Sequence, residues 1–97
     1  MTFPELRGLV DEQLEAEPRL HGSRRDLSGE NCVWTRGRES VAISASGSTG
    51  VLVELMSGDR LMRSKIFALS PMMVERIVTT AAEHLTAYAF HRTQLPR

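Results

Sequence analysis

A chain of 97 residues that is 41% hydrophobic and 25% charged has material for one folded core and too little for two, and its composition argues against disorder across most of its length. Twelve basic residues balance twelve acidic ones, so no global field draws the chain to nucleic acid or to an anionic membrane. The single cysteine, Cys32, excludes an internal disulfide and has no partner at metal-binding spacing, a usage that fits a reducing cytoplasm.

The N-terminal stretch MTFPELRGLVDEQLEAEP has acidic residues where a secretion signal needs an unbroken apolar run. No run elsewhere approaches the ~18–20 apolar residues of a membrane span, so neither export by that route nor insertion is expected. Thr2 and Glu5 have the spacing of a capping box, and Leu6, Val10 and Leu14 follow at intervals of four residues. The pattern predicts a short amphipathic helix over about 3–16, weakened at Gly8 by roughly 1 kcal/mol relative to alanine and ended by Pro18. The following RLHGSRRDLSGEN has no sustained periodicity and reads as a loop with room for one short strand near Arg25 to Leu27.

From Asn31 to Ala68 the period shortens, with the runs CVWT, SVAISA, VLVELM and LMRSKIF separated by RGRE, SGSTG and SGD. Connections this short close hairpins and cannot make parallel crossovers, so the runs form an antiparallel meander. Val41, Ile43 and Ala45 alternate with Ala42 and Ser44, and Val51, Val53 and Leu55 with Leu52, Glu54 and Met56. The last run mixes its faces: Met62, Ile66 and Ala68 share parity with Ser64, whereas Leu61 and Phe67 share it with Arg63 and Lys65. A bulge or a twist reconciles the pattern, and the register stays open.

In LSPMMVERIVTTAAEHLTAYAFHRTQLP, residues 69–96, Ser70 suits a cap and Pro71 the first helical position. Val74, Ile77, Val78, Ala81, Leu85 and Tyr88 fall on one stripe, Glu75, Arg76, Thr79, Thr80, Glu83 and Thr86 on the solvated side, and Pro96 stops the helix. The expected architecture is one α+β domain over 1–97, with two layers. A four-stranded antiparallel meander is flanked by an N-terminal and a C-terminal helix. Its second sheet face is expected to carry Arg36, Arg38, Glu54, Arg63 and Lys65.

Chemistry-bearing residues are sparse. His84 and His91 lie seven residues apart, about 10 Å along a helix, too far to share a metal, and His21 stands alone. The histidines read as solvated or capping, with His91 and Arg92 complementing the helix C-terminus. Cys32 reads as a small buried thiol and Trp34 as core, because no neighbouring His or helix start activates the thiol. SGSTG lacks the lysine and following helix of a phosphate loop and reads as a turn. Arg24, Arg25, Arg36 and Arg38 are interleaved with Asp26, Glu30 and Glu39, which reduces their field and favours a solvated face over a nucleic-acid surface. No metal and no cofactor is expected.

At SPMMVERIV, followed at a distance by HRTQLPR, the chain resembles actinobacterial immunity proteins of polymorphic toxins, in particular the antitoxin family of the tuberculosis necrotizing toxin. The resemblance covers about 31–97 and takes in the strand at CVWTRGRESVAIS and the hairpin at VLVELMSGDRLMRSKIFALS. It implies a cytoplasmic protein without catalysis of its own that binds and blocks a toxin domain with NAD-hydrolysing activity. Two other classes stay open. A small secretion-chaperone-like or homodimeric scaffold protein would show an exposed apolar groove and self-association. An enzyme would need convergent polar groups in a concave pocket. Binding to another protein is the expected mode, with Arg36, Arg38, Glu54, Arg63 and Lys65 as its candidate contacts.

Overall fold

In the structure, a computed structural model, the backbone of residues 1–94 and the side chains of residues 1–87 are described. The first helix, α1, spans Phe3–Glu15. Its capping box closes as the spacing requires, with the Glu5 amide donating to Thr2 Oγ1 at 3.3 Å and the Thr2 amide to Glu5 Oε1 at 3.1 Å. The backbone donor of Thr2, and then its hydroxyl, hold the Glu5 carboxyl below its ordinary value. Phe3, Leu6, Val10 and Leu14 are buried on one stripe, and a 3-10 turn at Pro18–Leu20 adds Leu20 to the same core.

Five strands follow, not the four expected: β1 (Arg24–Ser28), β2 (Asn31–Arg36), β3 (Glu39–Ser46), β4 (Gly50–Ser57) and β5 (Arg60–Ala68). They form one antiparallel meander in the order β1-β2-β3-β4-β5. The additional strand is the short segment near Arg25, and it pairs along its whole length from Arg24 opposite Thr35 to Ser28 opposite Asn31. Every residue of β1 is exposed, so its existence rests on the backbone ladder and leaves no hydrophobic alternation in the sequence. Two of the hairpins turn on Gly37 and Gly58, at φ of 62° and 58°, a conformation that side chains with a Cβ resist.

The inner face of the sheet carries Cys32 and Trp34 of β2, Val41 and Ile43 of β3, and Val51, Val53 and Leu55 of β4, all buried. A second helix, α2 (Val74–Gln94), covers that face alongside α1, packing chiefly on β3. Ser70 accepts the Met72 amide at 3.3 Å and starts a 3-10 turn, Pro71–Met73, that runs directly into α2. Val74, Ile77, Ala81 and Leu85 are buried on the predicted stripe with Val78 packed beside them. The side chains of Tyr88, His91 and Arg92, and all of Pro96, lie outside the described residues.

β5 resolves its mixed pattern by a register shift. Arg63 stands opposite Leu55 and Leu61 opposite Met56, which leaves Met62 as the extra residue of a bulge. From Arg63 onward the odd-numbered residues of β5 face inward, and Leu61 faces outward.

Candidate binding groove

The inner side of β5 is only partly covered: Phe67 packs against the core, Lys65 is half-buried and Arg63 is exposed. Arg63 lies in line with the buried Leu55 and Val41, and Lys65 with the buried Val53 and Ile43, so both hold core-parity positions. Beside them lies a groove of about 500 Å³ between β5 and α2, walled by Met62, Arg63 and Lys65 on one side and by Thr80, Glu83 and His84 on the other. It continues past Lys65 and Thr80 to Phe67, Met72 and Arg76. In the other direction it passes Glu39, Ser57 and Met62 to Arg38, Asp59 and Arg60.

The floor at one end is a polar tie between three elements. Glu39, which opens β3, has core parity with Val41 and Ile43 and is nearly buried. The Ser57 hydroxyl donates to its Oε1 at 3.1 Å, and His84 Nε2 lies 3.3 Å from its Oε2. The same His84 nitrogen is 2.7 Å from the Met56 carbonyl oxygen. Two acceptors facing one nitrogen place the proton on Nε2, which donates to the Met56 carbonyl while the Glu39 carboxylate lies alongside. The carboxylate stands between hydroxyl and imidazole. A hydroxyl nucleophile needs the imidazole in the middle, and no hydrogen bond joins His84 to Ser57 among the described residues. The geometry locks α2 to the ends of β3 and β4.

His84 is thus not solvated, contrary to the expectation from sequence; its side chain is 13% exposed. It lies three residues after Ala81 and seven after Ile77, on the core stripe, and that spacing was the available signal. Glu39 carried the same kind of signal, since its parity with Val41 already pointed it inward.

The five candidate contacts do not share one polar face. Arg63 and Lys65 come together in the groove, and Arg38 lines its far end, against the Gly58 turn. Arg36 is half-buried on the helix side, its Nη1 donating to the Leu85 carbonyl at 3.3 Å. Glu54 lies on the opposite face, in line with Ala42 and Ser64. The expectation assumed that the helix layer covers every strand, so that charge implies the outer face; at an uncovered edge the inner positions are wet as well.

A second buried cluster joins α1 to the sheet. Asp11 Oδ1 accepts from Trp34 Nε1 at 2.8 Å and from the Cys32 thiol at 3.3 Å. Arg7 and Arg25 flank Oδ2 at 3.8 and 3.9 Å, and the Arg25 guanidinium lies 6.0 Å from the Trp34 ring centre. Burial first, then the Asp11 charge and its hydrogen bond, push the Cys32 thiol up to about 12. A thiol in that state is a poor nucleophile at neutral pH. His21 is exposed at the end of the first 3-10 turn. No three of His, Cys, Asp and Glu are grouped as metal ligands are among the described residues, where no helix is long and apolar enough to cross a membrane. Comparison with family models, with curated proteins and with solved structures finds no match.

Proposed function

We propose that this chain is a non-catalytic protein-binding module, acting in the cytoplasm as an immunity protein that binds and neutralises a toxin domain. The observation that carries the reading is the groove between β5 and α2. It is open along its length, and Arg63 and Lys65 on its strand wall take part in no ion pair among the described residues. Cations left without internal partners beside an open concave surface give orientation and faster encounter with a complementary protein. Arg63 is the stronger anchor, because a planar guanidinium pairs with a carboxylate through two hydrogen bonds. The resemblance at SPMMVERIV supports the toxin-domain partner.

Coexpression with a toxin domain encoded beside this chain tests the reading. Rescue of growth together with a stable one-to-one complex is the expected result; no complex, with turnover of a small molecule by the purified protein, replaces it with an enzymatic one. A homodimeric scaffold is the second reading, favoured by the outer sheet face, where Ile66 is 69% and Leu61 49% exposed.

A further inference from the structure

The protein-binding reading leaves the form of the partner open, and β5 narrows it. β5 is the last strand of the sheet, with one side paired to β4 and the other free of any strand among the described residues. Its unpaired backbone groups are a template for one more strand. Its sequence, RLMRSKIFA, contains three cations and no anion. Arg63, Lys65 and Phe67 alternate along the groove side, opposite Leu55, Val53 and Val51 of β4, while Ser64 and Ile66 point to the outer face. The far wall mixes Glu75 and Glu83 with Arg76, so the cationic character belongs to the strand.

A second copy of this chain fits that edge badly. When a strand pairs antiparallel with itself about a two-fold axis, like-numbered residues keep their face, and only residues of equal parity meet. A register centred on Arg63 sets arginine against arginine, one centred on Ser64 sets Arg63 against Lys65, and one centred on Lys65 sets lysine against lysine. Like charges directly opposite are destabilising, so these central registers are disfavoured, and the same cations attract carboxylates.

On the basis of that protein-binding reading, we propose that the free edge of β5 is the docking strand for an extended acidic segment of the partner protein. The segment adds antiparallel to β5, the slightly stabler arrangement. Its apolar residue stands opposite Phe67 and its carboxylates opposite Lys65 and Arg63. Read from its N-terminus it is apolar, β-branched, acidic, any residue, acidic. The residue opposite Ile66 is best β-branched, because that side chain is 69% exposed and gains cover.

The test is fluorescence anisotropy with labelled synthetic peptides of the length of β5, built of alternating valine and threonine, with aspartate at the two acidic positions in one and lysine in the other. Each is titrated with the full chain and with its Arg63→Glu/Lys65→Glu variant. The aspartate peptide is expected to bind the full chain at least about tenfold more tightly than the lysine peptide, an advantage that shrinks with added salt. The preference inverts in the double variant, whose circular dichroism and thermal melt are first checked against those of the full chain. No binding of the aspartate peptide, equal binding of the two, or an unchanged preference in the variant overturns the proposal and leaves the cations as a guard against self-pairing. A toxin domain held equally by the full chain and the double variant also overturns it, while the protein-binding reading stands.

Discussion

Asp11 carries more of the internal polar contacts than any other carboxylate of α1, and the reason lies in Trp34. A buried indole N–H needs an acceptor, and the 2.8 Å contact to Asp11 supplies it while fastening α1 to β2. Replacement by alanine removes a hydrogen bond to a charged group and strands the indole donor, a loss of about 2–3 kcal/mol in chemical denaturation. Cys32 makes a pH prediction from the same cluster. Its thiol pKa is raised by folding from 9.0 to about 12, so the folded chain holds a proton that the unfolded chain releases between those values. The associated stability is complete below about pH 9 and is lost as pH rises toward about 12. Denaturation midpoints across that range should fall more steeply for the natural chain than for Cys32→Ala; parallel slopes contradict the assignment. Burial of Cys32 and Trp34 was legible in their strand setting. Their acceptor was not, because Asp11 sits 23 residues from Trp34 and only the docking of α1 on the sheet brings it near.

At the scale of elements, α2 is the best-specified part of the chain. Ile77 and Leu85 have no exposed surface, and truncating either to alanine should cost about 2–5 kcal/mol, whereas Thr79→Ala on the exposed side should change little. Thermal melts of the three variants check this, and equal shifts would reject the stripe. The helices, the hairpins and the meander were readable from period, cap and turn chemistry. β1 was readable only in part, since an edge strand exposed at every residue has a ladder but no pattern. The bulge in β5 was implied by its conflicting parities, yet its site at Met62 depends on where the Gly58 turn sets the register. Once that register is set, Arg63 and Lys65 swing to the inner side, and Glu54 is left alone on the outer one.

For the molecule as a whole, two helices over five strands leave a margin, and that margin is the groove. A balanced sum of charges hides it: 12 basic and 12 acidic residues give no net field, while the three cations of β5 sit together on one edge without an anion in the strand. The candidate site was therefore legible as residues, in Arg63 and Lys65, and not as a place. The central claim is that the chain works by holding another protein along β5 and α2. The most direct measurement is copurification from the native host with the full chain and with the Arg63→Glu/Lys65→Glu variant, compared by quantitative mass spectrometry. The account predicts one protein bound in stoichiometric amount by the full chain and depleted at least about tenfold with the variant. Equal recovery of the same proteins by both would contradict it.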